Sequence, residues 1–210
     1  MKIEWNRFLI CSVLAGASTT GSAASLLTFD ELPTPQVIPG ENYGPITNGY
    51  GGLRWDNFDV LDGAIEPTGR GYHDGMVSPD NVAFNPYGSP ASISIAGGLF
   101  DLNSAYMSLA LNLDTPLNVE VQGYRGATLL YDNTFTVNRF APTLLTFDYL
   151  GIDRVSFLPS PSQEFAMDNL TVTIPEPGTV TLLILGTVWL AAGSCRSRLV
   201  SGGLLAGSRA

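Results

Sequence analysis

Three carboxylates draw attention first by where they fall in the chain. Asp30 and Glu31 sit in the stretch LTFDEL near the start, and Asp168 sits in FAMDNLTV some 140 positions later. If the first and last strands of the fold pair, these groups converge, and a hard cation such as calcium would relieve their repulsion. The alternative is that Asp30 and Asp168 cap turns or accept backbone hydrogen bonds. Asp56, Asp59 and Asp62 recur every three residues, which suits a solvated loop face or a second acidic cluster. A different chemistry is carried by Tyr43, Tyr50, Trp55, Tyr72, Tyr87 and Tyr124, which occur among Gly, Asn and Asp. Flat rings beside polar groups suit stacking on sugars. Tyr50, Trp55 and Tyr72 are the candidate ligand contacts, although Trp55 and Phe58 equally suit a core.

Catalytic signatures are sparse, and no catalytic residue is expected. His73, in GYHDG, is the single histidine, and no serine is framed as G-x-S-x-G. There is no His- or Cys-rich metal spacing and no glycine loop leading from a strand into a helix. A two-carboxylate glycosidase is defined by spatial separation and leaves no spacing to search for.

Charge narrows the partners. The 210 residues carry a formal net charge of -9, but between Ser25 and Ile174 there are 17 acidic side chains against five arginines and no lysine, a net of -12. Nucleic-acid binding requires clustered cations to displace phosphate counterions, and this segment lacks them. The two cysteines, Cys11 and Cys195, lie outside it. No disulfide can staple the segment, and no thiol in it can act as nucleophile or metal ligand. Its stability must come from a hydrophobic core, which about 150 residues suffices to build.

The elements that would position these residues read as strands. Ser92 to Ile95 and Leu117 to Gln122 alternate strictly. Ala105–Leu111, Thr128–Val137, Leu144–Tyr149, Arg154–Leu158 and Phe165–Ile174 each place alternate apolar residues on one face. Gly97-Gly98, Asp114-Thr115-Pro116, Gly123 to Gly126 and Pro159-Ser160-Pro161 separate them as turns. No window repeats at helical spacing. Many short strands without helices predict an all-β fold, an antiparallel jelly-roll-like β-sandwich. Ser25–Leu32 is the expected first strand, and Pro33–Pro45 is expected to be a surface loop.

The two ends read as targeting segments. Lys2 and Arg7 precede an apolar stretch from Phe8 to Ala17 and the small residues Ser22-Ala23-Ala24. That order predicts a signal peptide over residues 1–24, cleaved by signal peptidase after Ala24, with Ala23 the alternative. The β-sandwich domain is expected over 25–174. After it, Pro175-Glu176-Pro177 abuts an apolar run of about 16 residues, Gly178 to Gly193, which stops at Arg196 and Arg198. The run is short beside the roughly 20 residues that span a bilayer comfortably, yet it can insert as a transmembrane helix with the arginines at anionic headgroups. Residues 199–210 would form a short cytoplasmic tail. A permanent membrane anchor and a processed tail share this insertion physics.

This tail resembles the PEP-CTERM sorting signal of Gram-negative bacteria in all three parts: motif, apolar helix and basic cluster. The resemblance implies recognition by an exosortase, an integral-membrane cysteine peptidase. It further implies a precursor held in the inner membrane, then release or re-attachment at the cell surface. The twelve residues LVSGGLLAGSRA after Arg198 depart from the usual prompt ending. The body, through LTFDEL, NGYGGLRWDNFDVL, GGLFDLNSAYMSLAL and FAMDNLTV, looks like exported β-sandwich domains that carry such tails, and its plan is similar to carbohydrate-binding jelly rolls. Those imply paired terminal strands and a closing Asp that helps hold a structural calcium. The expected function is a non-enzymatic cell-surface or extracellular-matrix protein. The alternatives are a carbohydrate-binding module for exopolysaccharide and, behind it, a glycan-active enzyme.

Overall fold

The computed structural model of the protein describes residues 23–34, 36–38, 41–160 and 163–175. Residues 1–22 of the expected signal segment, Glu176, Pro177, the apolar run, Arg196 and Arg198 lie outside these residues, whereas Ala24, the expected cleavage residue, lies in the first strand. Among the described residues no helix is long and apolar enough to cross a membrane.

The chain forms two antiparallel sheets. In order along the sequence, the strands are β1 (Ala24–Leu27), β2 (Gln36–Ile38), β3 (Glu41–Pro45), β4 (Arg54–Asp56), β5 (Asp59–Asp62), β6 (Asn81–Phe84) and β7 (Ala91–Ser94). They continue with β8 (Phe100–Leu109), β9 (Leu117–Arg125), β10 (Thr128–Val137), β11 (Thr143–Ile152), β12 (Arg154–Pro159) and β13 (Phe165–Thr173). One sheet runs β11-β8-β13-β6-β5-β3-β2, and β1 pairs with the far half of β13. The other runs β10-β9-β12-β7-β4. The terminal strands therefore pair, Ala24 opposite Thr173 and Leu27 opposite Leu170.

Period-two patterning explains why these segments are strands and how the sheets face one another. Ile93, Val119, Val121, Val155 and Phe157 turn inward from the smaller sheet, while Leu102, Met107, Phe147, Phe165 and Met167 meet them from the larger one. An edge-to-face chain of rings runs through this interior: Trp55 to Phe58 at 5.3 Å, Phe58 to Phe157 at 5.8 Å, and Phe157 to Phe147 at 6.3 Å. Perpendicular contact sets the positive edge of one ring against the negative face of the next. Removing any one of these buried rings would cost about 3–5 kcal/mol.

Three strands depart from alternation. Every residue of β6 is buried, and Leu61, Val82, Phe84 and Ala166 are apolar on the face turned away from the sandwich interior. The reason is a third layer. Residues 63–80, which include the one-turn helix α1 (Gly71–Asp74), fold over this outer face and bury Tyr72 against Phe84. The approach is close enough to demand glycine. A Cβ on Gly71 would lie 1.9 Å from the carbonyl oxygen of Leu109, and one on Gly75 would lie 2.2 Å from that of Gly71. Ser108, itself buried, donates from its hydroxyl to the carbonyl of Gly71 at 3.0 Å and completes the seam.

Several boundaries differ from the sequence reading. The first strand ends at Leu27 rather than Leu32, because Phe29 takes a positive φ of 67° to bury its ring. The stretch expected to be a loop over 33–45 contains β3, which pairs Tyr43 with Leu61 and Pro45 with Asp59. Proline is admissible there because it closes the strand. GYHDG, which shows no helical periodicity, forms the one-turn α1 under tertiary packing.

Gly71→Ala tests the seam: the backbone must shift, and a loss of about 1–3 kcal/mol is expected in urea denaturation. An unchanged midpoint would show that the outer layer is not packed on β8 as described.

Candidate functional site

The boundary of the outer layer leaves an open cleft of about 270 Å³ on the larger sheet. Strands β3, β5 and β6 supply Asn42, Tyr43, Leu61 and Phe84; the outer layer supplies Glu66, Arg70 and Tyr72. Pro86, Tyr87 and Glu164, in the turns that follow β6 and precede β13, close it. Phe84 is the hub of the aromatic wall. Tyr43 meets it edge-on at 6.1 Å and Tyr72 at 5.4 Å.

Glu164 sets the rim. One carboxylate oxygen accepts the hydroxyl of Tyr72, and the other accepts the backbone N–H of Tyr87 at 2.7 Å. Burial pushes the Tyr72 phenol far above its ordinary value, and the neighbouring Glu164 charge pushes it the same way. The group therefore stays a protonated donor at any physiological pH. Tyr87 is 84% exposed, yet its backbone is held at φ 62°, a conformation that costs a bulky residue about 1–3 kcal/mol. Opposite, Arg70 pairs with Glu66 at 3.2 Å. Arg139 braces the same loop, donating to the carbonyl of Gly69 at 2.9 Å while pairing with Asp114 at 2.7 Å. The cleft thus combines an aromatic wall, a presented tyrosine ring, two carboxylates and one guanidinium.

Of the expected ligand contacts, Tyr72 lines this cleft. Trp55 and Tyr50 are elsewhere. Trp55 is 6% exposed between the sheets, its indole N–H donating to the carbonyl of Tyr50 at 3.0 Å. Tyr50 packs on Trp55 and Phe29, its hydroxyl accepting the N–H of Phe29 at 2.9 Å. Trp55 belongs to β4 and the interior, and Tyr50, in the turn before it, packs against that interior. Tyr43 and Tyr87 join Tyr72, whereas Tyr124 lies beneath Arg154 on the other sheet. Phe84, Glu66, Arg70 and Glu164 carried no local signal.

The expected metal ligands do not share one point. Among the described residues no three His, Cys, Asp or Glu side chains form a metal-sized group. Asp30 accepts the N–H of Asn81 at 3.1 Å, and Glu31 lies 3.4 Å from the hydroxyl of Thr28. Asp168 is fully buried on the outer face of β13. One oxygen accepts the N–H groups of Val77 and Ser78 at 2.6 and 2.8 Å. The other accepts the Ser78 hydroxyl at 2.8 Å and the N–H of Asn169 at 2.6 Å. Asp168 holds residues 77–78, and with them the outer layer, against the sheet.

Burial raises the Asp168 carboxyl above its ordinary 3.8 and outweighs the four donors that act to lower it. The folded state therefore binds this proton more readily than the unfolded chain. Its contribution to stability grows as pH falls toward 3.8 and levels off above the raised value. In Asp168→Asn an amide N–H₂ must face two donors, at a cost of about 1–3 kcal/mol at neutral pH. The gap to wild type should widen on acidification. Urea melts at a series of pH values check this, and a gap that narrows would overturn the assignment.

The sequence matches no family model and no curated protein. Solved structures similar in fold include the CBM22-1 xylan-binding domain of Paenibacillus barcinonensis Xyn10C, at 13% identity and a TM-score of 0.41, covering 75% of this chain and 99% of that one. A second is TmCBM61 in complex with beta-1,4-galactotriose, at 5% identity and a TM-score of 0.33, covering 60% and 92%. A third is a CBM4 structure, at 18% identity and a TM-score of 0.30, covering 70% and 96%. At these values no residue role is transferred from them.

Proposed function

We propose that this protein is an exported, non-enzymatic saccharide-binding β-sandwich that works at the cell surface or in the extracellular matrix. The observation that carries the reading is Tyr87: an exposed ring, fixed by Glu164 in a strained backbone conformation, at the rim of an aromatic cleft. Strain at an exposed aromatic is retained where the ring's position matters. A pyranose ring can stack on Tyr87 while Tyr43 and Phe84 exclude water from its other side. Glu66 and Arg70 offer an acceptor and donors to its hydroxyls. Both oxygens of Glu164 are engaged as acceptors that orient Tyr72 and Tyr87, which fits a binding role better than general acid catalysis.

Delivery belongs to the same proposal. The signal peptide with cleavage at Ala24 and the tail Pro175-Glu176-Pro177, apolar run and Arg196/Arg198 point to export and exosortase-type processing. The net of -12 over 25–174 is compatible with a soluble surface domain.

Two outcomes check these readings. Affinity electrophoresis of the full chain through neutral matrix polysaccharides should show retardation, with Tyr87→Ala weakening it about tenfold at an unchanged melting temperature. If no glycan slows the protein, or the variant migrates like wild type, the cleft is not a saccharide site. In the producing cell, Glu176→Ala should accumulate an unprocessed membrane species on immunoblots. A product of unaltered mass would leave a plain anchor as the reading of the tail.

A further inference from the structure

The outward face of the five-stranded sheet carries an arrangement that the cleft does not use. Register places Arg54 opposite Ser94, Ser94 opposite Arg154, and Arg154 opposite Tyr124. These four residues form one transverse row across β4, β7, β12 and β9. Their chain neighbours Trp55, Ile93 and Val155 are buried, so alternation turns the row outward. Strands lie about 4.8 Å apart, so the two arginines arise roughly 10 Å from one another with only a serine between them.

Among the described residues neither arginine forms an ion pair. The ion pairs among the described residues use Arg70, His73 and Arg139. Asp56 follows Arg54 on the same face, one row along, and makes no ion pair with it. In a segment with 17 acids and five arginines, these two cations stand side by side without an ion pair. Arg154 is also pre-positioned, its guanidinium carbon 4.1 Å from the centroid of the Tyr124 ring. That ring is held in turn by its hydroxyl donating to Gln122, whose amide donates to Glu120. Stacking orients the flat of the guanidinium and leaves its N–H edge free for a planar bidentate acceptor. The floor beside it is small and polar, formed by Ser92, Ser94 and Ser156.

We propose that the Arg54–Ser94–Arg154–Tyr124 row is a second saccharide site, one that reads the carboxylate of a uronic-acid residue in an acidic polysaccharide. The two guanidinium groups converge on the carboxylate, the Ser94 hydroxyl donates to it or to a ring hydroxyl, and the Tyr124–Gln122 ladder lines the path of the adjoining sugar. A flat anionic membrane would meet the repulsion of the whole acidic domain. A narrow polymer samples only the local field, because charges beyond about 10 Å are screened at moderate salt. The site stands independently of the cleft, which lies on the other sheet and bears two carboxylates.

The experiment compares oligogalacturonate with its methyl ester, titrated calorimetrically into the full chain at low ionic strength. The free acid is expected to bind and to weaken as salt is added, and the ester to bind at least about tenfold more weakly. Arg54→Gln and Arg154→Gln should each cost about tenfold, while Tyr87→Ala leaves acid binding unchanged. Arg154→Lys, which keeps the charge and loses the planar fork, should fall between wild type and Arg154→Gln. Circular dichroism on each variant separates lost contacts from lost folding. Equal affinity for acid and ester, no binding of the acid, or full binding by the Arg54→Gln/Arg154→Gln double variant would each overturn the proposal. So would loss of acid binding in Tyr87→Ala alone, which would place the acid in the cleft. Capture of phosphatidylglycerol vesicles through the same arginines would replace the polysaccharide with a lipid headgroup and overturn it equally.

Discussion

A carboxylate without contact with water organises the functional side of this molecule. Removing an ionised Asp from solvent costs several kcal/mol unless its lone pairs are met. Asp168 offsets part of that cost with backbone N–H groups from Val77, Ser78 and Asn169 and the hydroxyl of Ser78. Three of these donors belong to the segment that folds over the sheet. Satisfying the buried charge and holding the outer layer down are therefore one interaction. Asn81 extends the same logic next door, its amide donating to the carbonyls of Phe29 and Leu32 at 3.0 and 3.1 Å.

Once that layer is held, the cleft follows from its edge. The sheet beneath presents Leu61, Val82, Phe84 and Ala166 on its outer face as well as an apolar inner face, and the layer covers only part of the outer one. Where coverage stops, Phe84 and Tyr43 remain beside Tyr72, with one wall of the cleft made by each layer. Glu164 fastens the two together, since it bonds Tyr72 of the layer and the backbone of Tyr87 in a turn of the sheet. The strain at Tyr87 persists because that bond and the flanking turn determine its backbone.

The two outward faces differ in electrostatic character. Around the cleft, Arg70 and Arg139 are each committed to an acid, Glu66 and Asp114. On the smaller sheet Arg54 and Arg154 pair with no acid among the described residues, and the second is ordered by a ring instead of a carboxylate. A cation stacked on tyrosine keeps its hydrogen-bonding edge, whereas one in an ion pair has largely used it.

Much of the architecture was present in the linear pattern. The alternation in Thr128–Val137 marks a strand with those same limits, and Val119, Val121, Ile93 and Phe157 could be assigned to the interior from period two alone. Pairing of the terminal strands, with Ala24 opposite Thr173, was implied by the resemblance to carbohydrate-binding jelly rolls and not by the pattern. The pattern failed where a strand is buried on both faces. NVAF in β6 has no alternation to detect, because its second face is covered by a segment that looks like a loop in isolation. Trp55 and Tyr50, set among glycines and polar residues, looked like presented rings, yet Trp55 is buried in β4 and Tyr50 packs on it.

What the chain determined by itself is therefore its local chemistry: strand periodicity, an acidic cysteine-free body, and the apolar runs and charges at its two ends. Those are short-range properties, set by side-chain type and spacing. What only the tertiary structure decided is which residues meet. Tyr72 and Glu164 are 92 positions apart, and Val77 and Asp168 are 91 apart. No local preference encodes such pairs, because they arise when buried polar groups must find donors and two-faced strands must find cover.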